Sequence, residues 1–255
     1  ERVSHSSALL ADLPEGDWIR KTQFNDWTLQ DVIVHLHFWN LAADLSLTQP
    51  TEFKTHIQDV LDKIPTLGFR QVENEYVHER GPALFSAWRS HFADMAQRWF
   101  EVNPKLRVDW AGPSMSARSS ITARQMETWA HGQEAFDLLG VTREDGDRLR
   151  NIVYLGVNTF AWSHQVQGFD VPDQLPAIRL KSPTGETWEH GDSTSQSTIT
   201  GSATEFAQVV TQTRNVEDTR LAVEGDIALR WMRTAQCFAG PKETPPRPGT
   251  RFKVA

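Results

Sequence analysis

The sequence predicts two domains, an α-helical bundle followed by a small α+β domain. Its 255 residues are more than one compact bundle needs. Apolar residues recur at helical spacing as far as about Gly168, and short alternating segments separated by turn residues follow. We therefore predict a helical domain over residues 1–168 and an α+β domain over residues 169–255.

Six helices are predicted in the first domain. The first is short and ends near Leu13, and the second begins at Thr28, which forms a capping-box pattern with Asp31. A third is expected around residues 56–64, and a fourth follows Gly81-Pro82 and covers residues 83–100. The next helix should be capped by Ser119 or Ser120 and stop at Gly140, and a helix over residues 143–165 should close the bundle.

The second domain should alternate strands and helices after the Pro-containing linker at residues 170–176. Residues 178–181 and 187–190 are predicted to form a hairpin around the turn at residues 183–185. Further strands are expected at residues 196–200 and 220–224, with helices at residues 203–211 and 227–238.

Composition excludes several classes of function. The net charge is −7 and no cluster of Lys and Arg occurs, so we expect no nucleic-acid partner. No segment approaches the roughly 20 apolar residues of a membrane span, so we expect no membrane insertion. A single cysteine, Cys237, fits a reducing compartment, and we predict a cytoplasmic protein that is a monomer or a homodimer.

A divalent metal site is predicted from three residues. Glu127 and His131 are four residues apart, so they project from one face of a helix on successive turns. A third ligand must come from another helix, and His35 lies inside a well-capped one. Two imidazoles and a carboxylate suit zinc and leave positions for water or substrate, although Glu and His at this spacing also occur as an ordinary helical ion pair.

Two segments carry a resemblance to a known family. Residues 27–36 begin with Trp27-Thr28 and end with His35-Leu36, and residues 124–133 contain Glu127 and His131. Together they resemble the metal-ligand motifs of the DinB-like, mycothiol-dependent maleylpyruvate isomerase superfamily. Residues 185–188, 200–201, 225–226 and 235–241 resemble its small C-terminal domain, and the match is closest to an actinobacterial-type metal-binding subgroup.

The resemblance implies a fold, a chemistry and two further site residues. It implies a DinB-like four-helix-type bundle in which His35, Glu127 and His131 bind a divalent metal, with zinc the expected ion. A low-molecular-weight thiol such as mycothiol would then be the cosubstrate of an isomerase or S-transferase acting on a small electrophilic substrate. Arg214 would grip a substrate carboxylate, or else be a solvated loop residue. Arg124 would contact the thiol or substrate, or else pair with a surface acid.

The alternative function is a non-catalytic metal-binding or ligand-sensing module, because a bound ion can stabilise a bundle without chemistry. Asp31 lies one turn before His35 and is a candidate to orient its imidazole, although the helix cap already explains it. The remaining helical histidines, His37, His91 and His164, are expected to be structural. Cys237 is expected to pack inertly in the last helix.

Overall fold

The computed structural model describes residues 9–255 and divides into two compact units, one ending at Leu139 and the other comprising Gly140–Ala255. The predicted first helix falls partly outside the described residues, and residues 9–11 are helical. No helix among residues 9–255 is both long enough and apolar enough to cross a membrane.

Besides the helical residues 9–11, five helices build the described part of the first unit. They are α1 (Leu29–Thr48), α2 (Pro50–Leu67), α3 (Phe69–Tyr76), α4 (Gly81–Phe100) and α5 (Ala117–Leu138). A 3-10 helix covers Glu15–Ile19, and a short hairpin of β1 (Arg107–Val108) and β2 (Met115–Ser116) precedes α5. Because α1 packs against the four other helices, 13 of its 20 residues are buried, polar ones included.

Local sequence explains where the helices of the site begin. Thr28 and Asp31 form the predicted capping box at α1: the Thr28 hydroxyl accepts from the Asp31 N–H at 3.1 Å, and the Asp31 carboxylate accepts from the Thr28 N–H at 2.9 Å. Helix α5 starts earlier than predicted, because Ser116 rather than Ser119 or Ser120 is its N-cap and accepts from the Ser119 N–H at 3.1 Å.

The second unit contains a four-stranded sheet and four helices. The strands are β3 (Ala177–Lys181), β4 (Thr187–His190), β5 (Thr198–Ser202) and β6 (Ala222–Glu224), in the order β4-β3-β5-β6. The central pair β3–β5 is parallel, and both outer pairs are antiparallel. The helices are α6 (Arg150–Asn158), α7 (Phe160–Gln167), α8 (Ala203–Val210) and α9 (Asp226–Thr234).

The boundary between the units lies at Leu139, earlier than the predicted boundary at residue 168. The segment predicted to close the bundle is instead α6 and α7, which pack inside the second unit. A Cβ on Gly156 would lie 2.8 Å from a Val210 methyl group, and the rings of Phe160 and Trp231 are 4.9 Å apart. An apolar helical stripe predicts burial but does not name the partner that covers it.

The last predicted helix is shorter than expected. Helix α9 ends at Thr234 and Ala235 is extended, so Cys237 does not lie in a helix. Its backbone N–H donates to the carbonyl oxygen of Val210 at 3.0 Å, and Cys237 is 4% exposed. The tertiary contact with α8 therefore overrides the helical pattern of this segment.

Candidate metal centre

The structure brings His35, Glu127 and His131 together. His35 comes from α1, and Glu127 and His131 come from successive turns of α5, so that one ligand atom of each lies within 4.8 Å of the others. Glu127 Oε2 is 3.3 Å from His131 Nε2 and 3.9 Å from His35 Nε2. Among residues 9–255 these three form the one group of at least three His, Cys, Asp or Glu residues with ligand spacing.

Aromatic rings border the group. The ring of Trp27 stacks on His131 with an interplanar angle of 5° and meets the edge of His35 at a centroid distance of 5.3 Å. Phe24 packs edge-on against His131 at 5.1 Å. The three ligand side chains are 14–23% exposed. The site is therefore mostly enclosed, but its ligands keep access to solvent or to a small molecule.

Glu73 contacts the candidate ligand His35, and the sequence did not reveal it. It lies on α3 and is 1% exposed, and its Oε1 is 2.7 Å from His35 Nδ1 and accepts a hydrogen bond from Trp39 Nε1 at 2.8 Å. A proton on Nδ1 that donates to Glu73 leaves the Nε2 lone pair of His35 facing Glu127 and His131. This is the carboxylate–histidine arrangement that orients metal-binding imidazoles in proteins.

No signal in the sequence pointed to Glu73. Helix α3 was not predicted, and Glu73 is separated from His35 by 38 residues, so no local spacing relates them. The nearby candidate, Asp31, directs its carboxylate to the backbone N–H and hydroxyl of Thr28 and therefore serves the helix cap.

The electrostatics of the group are those of a charged, mostly enclosed cluster. Burial lowers the pKa of His35, but the charge of Glu73 and hydrogen bonds to Glu127 and Glu73 outweigh it and raise the pKa to about 9. Burial raises the pKa of Glu127, yet hydrogen bonds from His131 and His35 hold it well below its usual value. Burial lowers the pKa of His131. An anionic Glu127 and a neutral His131 are the protonation states that a metal ion requires.

The donor set fits a divalent metal. Two imidazole nitrogens and one carboxylate oxygen are ligands that zinc and similar borderline ions accept, and three protein ligands leave room for an exogenous one. The Nδ1 contact with Glu73 would leave Nε2 of His35 to the ion once His35 gives up its second proton. The identity of the ion stays a prediction.

Arg124, predicted to contact thiol or substrate, lies one turn before Glu127 on α5 and is 5% exposed. It does not pair with a surface acid, because its Nε donates to Asn40 Oδ1 on α1 at 3.0 Å and both residues are buried. Its Nη2 and the Asn40 Nδ2 have no hydrogen-bond partner among the described residues.

Arg214, the predicted carboxylate ligand, belongs to the second unit. It follows α8 and donates from Nη1 to the carbonyl oxygen of Thr213 at 2.8 Å. Its role at the metal stays a prediction.

The other histidines occupy different places. His37 and His91 pack together with ring centroids 5.7 Å apart, and His164 lies on α7 with its Nδ1 2.9 Å from the Phe160 carbonyl oxygen. These histidines are not in the group of ligand residues.

Comparison with known proteins agrees with the resemblance. The family model described as the mycothiol maleylpyruvate isomerase N-terminal domain matches residues 3–136, which is more than half of the chain. The chain belongs to this family. The matched region covers His35, Glu73, Glu127 and His131, and it ends close to the boundary of the first unit at Leu139.

Relatives extend the similarity to the second unit. Uncharacterized proteins of two Mycobacterium tuberculosis strains are 34% identical over 234 residues, covering 92% of this chain and 91% of each relative. Crystal structures of the mycothiol-dependent maleylpyruvate isomerase and of a mutant of it match with TM-scores of 0.51 and 0.50 at 18% and 17% identity. They cover 81% of this chain and 82% of theirs, and at this identity they show the shared fold of helical bundle and small α+β domain.

Proposed function

We propose that this protein is a metal-dependent enzyme that uses a low-molecular-weight thiol of the mycothiol type to isomerise, or to add to, a small electrophilic substrate. The observation that carries the proposal is the three-ligand group in a chain of this family, because three protein ligands leave a place for the sulfur. Zinc is the proposed ion, and the cytoplasm is the proposed compartment.

Each group of residues at the site has a separate role in the proposed reaction. A bound divalent ion would lower the pKa of the thiol, so that the thiolate, the nucleophilic form, is present at neutral pH. His35, Glu127 and His131 would hold that ion, and Glu73 keeps Nε2 of His35 directed at it through the Nδ1 contact. Trp27 and Phe24 border the ligands with apolar rings, which limits water around the sulfur.

Isomerisation by a thiolate requires no net change in protons. The thiolate forms a C–S bond to one carbon of a cis double bond conjugated to a carbonyl, and the electron pair moves onto the carbonyl oxygen. The former double bond is now single and rotates. Return of the electron pair breaks the C–S bond, expels the thiolate and leaves the trans isomer. In a transferase the adduct would instead take a proton and be released.

The test combines metal analysis with turnover. Purified protein should hold about one divalent ion per chain, and His35→Ala should lose the ion and the thiol-dependent turnover of an unsaturated keto acid, because two ligands do not retain zinc. His78→Ala, at an exposed histidine next to α3, is the matched control and should keep both.

Two results would contradict the proposal. Full turnover by metal-free protein would remove the metal from the reaction. A large melting shift on metal removal, without thiol binding and without product from any electrophile, would favour the non-catalytic or sensing module instead.

A further inference from the structure

Arg124 and Asn40 leave two buried donors facing no acceptor. Arg124 is 5% exposed and Asn40 is 1% exposed, and a single hydrogen bond at 3.0 Å, from Nε to Oδ1, joins them. Arg124 Nη2 and Asn40 Nδ2 both lack a partner among the described residues. Buried polar groups in folded proteins are nearly always hydrogen-bonded, so two neighbouring orphans require an explanation.

The positive charge of Arg124 lacks a direct counter-ion. The carboxylates whose charges act on it are Glu127 and Glu73, and both are engaged elsewhere. Glu127 contacts the two histidines of the metal centre, and Glu73 contacts His35 and Trp39. With a divalent ion bound, three positive charges would face these two carboxylates. Burying a guanidinium without a paired anion costs free energy. With the ion bound, one more negative charge next to Arg124 would therefore be stabilising.

Helix geometry locates the two donors beside the metal centre. His35 faces Glu127 and His131, and Asn40 faces Arg124, so α1 and α5 run antiparallel at this point. Arg124 is three residues from Glu127 and Asn40 is five from His35, which at 1.5 Å per residue gives a displacement of about 5–7 Å along the helices. A carboxylate oxygen pair accepts two parallel N–H bonds well, and a guanidinium supplies one of them here.

We propose that Arg124 Nη2 and Asn40 Nδ2 bind the carboxylate of a small organic acid whose other end reaches the metal centre. This inference rests on the proposed function and specifies its ligand class. The carboxylate belongs either to the electrophile or to the thiol. The pair of donors would then set substrate choice, since a neutral ester of the same shape leaves the guanidinium unpaired.

Calorimetric titration tests the pair with matched ligands. On zinc-loaded protein, maleate and dimethyl maleate represent the electrophile, and N-acetylcysteine and its methyl ester represent the thiol. The acid of one pair should bind about tenfold or more tightly than its ester, and the acid that does so identifies the source of the carboxylate. Equal affinity of acid and ester in both pairs, or no binding of either acid, would overturn the inference.

Two variants then assign the effect to these residues. Arg124→Met should abolish the preference for the acid while zinc content stays unchanged, and Arg118→Met, at an exposed arginine of the same helix, should keep it. Asn40→Asp places a carboxylate oxygen where Nδ2 lies, so it should pair with Nη2, raise the melting temperature of the ligand-free protein and exclude the added acid. Wild-type affinity for the acid in Arg124→Met or in Asn40→Asp contradicts the assignment.

The outcomes separate this inference from the proposed function. If the protein retains zinc but shows no acid binding that depends on Arg124, the carboxylate site is contradicted and the proposed metal centre is not. If the wild-type protein binds no zinc, the same titrations on metal-free protein still decide whether Arg124 and Asn40 hold a carboxylate. If Arg124→Met does not fold, Asn40→Asp and Arg124→Lys, which keeps the charge but loses the fork of donors, decide it.

Discussion

Two buried carboxylates lie at helix α1, Asp44 on the helix itself and Glu73 on α3 beside it, and they differ in how completely their hydrogen-bond partners are paired. Asp44 accepts hydrogen bonds from Arg98 and from Trp99 Nε1, so its charge is matched by a guanidinium in direct contact. Glu73 likewise accepts from a tryptophan, Trp39, but its second partner is His35, whose other nitrogen faces the metal centre. The same pair of residue types, a carboxylate and an indole, therefore belongs to a closed ion pair in one place and to the candidate metal centre in the other.

The two clusters differ in whether the arginine next to each has unpaired hydrogen-bond donors. The guanidinium of Arg98 reaches its carboxylate, and its side chain is 42% exposed, so water completes the rest of its hydrogen bonds. Arg124 is buried, touches no carboxylate among the described residues and keeps an unpaired donor. A buried cluster whose hydrogen-bonding groups are all paired stabilises the fold. A buried cluster with unpaired donors and free ligand atoms is a candidate binding site for an ion or a small molecule.

Removing Asp44 should have the largest effect on stability. Asp44→Ala leaves the Trp99 N–H buried without an acceptor and Arg98 without its counter-ion, so we expect the free energy of unfolding to fall by about 3 kcal/mol. Chemical denaturation measures it, with Asp94→Ala, an exposed acid on α4, the helix of Arg98 and Trp99, as the control. Metal content per folded chain should not change. A loss of metal in folded Asp44→Ala protein would show that the two clusters are coupled.

Glu73→Gln should act on metal affinity. The amide oxygen still accepts from Trp39, but the negative charge that supports His35 is gone, and we expect metal to bind about 10–100-fold more weakly. Competition with a chromophoric chelator gives the dissociation constant. Glu75→Gln changes an exposed acid of the same helix α3 and should leave it unaltered. Unchanged affinity in Glu73→Gln would mean that Glu73 is as purely structural as Asp44.

The pH dependence of melting should have opposite signs with and without metal. The pKa of His35 is raised from 6.5 to about 9 in the metal-free fold, so its stabilising contribution is complete below pH 6.5 and is lost as pH rises towards 9. A metal ion instead needs neutral His35, so its affinity should rise over the same interval. Differential scanning calorimetry at pH 6 and pH 9, with and without chelator, measures both slopes. Parallel slopes would contradict the assignment of His35 as a ligand.

The smallest expected effect concerns the start of α1. Thr28→Ala removes the side-chain half of the capping box, and we expect a loss of about 1 kcal/mol without change in metal content. Thermal melting measures it, with Thr51→Ala, at an exposed position near the start of α2, as the control. A drop in metal content would show that the cap also holds His35 in place.

The sequence predicted those parts of the candidate centre whose residues lie close together in the chain. The spacing of Glu127 and His131 and the capping box of His35's helix each span one or two turns, so they are readable without knowing the fold. Glu73 and Asn40 owe their positions to the packing of α1 against α3 and α5, which no short pattern encodes. Arg124 was noticed for its place before Glu127, but its burial and its contact with Asn40 required the structure.

The sequence likewise predicted the elements with a clear local pattern and missed features that depend on packing. The longer helices of the first unit and the four strands of the second followed from periodicity, and the capping box placed the start of α1 correctly. The boundary at residue 168 differs from the one in the structure, because the apolar face of residues 150–167 packs on α8 and α9, and a pattern of apolar residues does not identify its partner. The short helix α3 escaped prediction, and with it the residue that orients His35.

The stack of Trp27 on His131 gives the centre an optical consequence. The two rings are parallel, with centroids 5.9 Å apart, so an indole fluorophore stacks on an imidazole of the candidate metal centre. Cobalt(II) at this place would quench the emission of Trp27, whereas zinc, which has no visible absorption, would not. Metal exchange could then be followed by tryptophan fluorescence in the intact protein. The variant Trp27→Phe would show how much of the fluorescence change arises from Trp27.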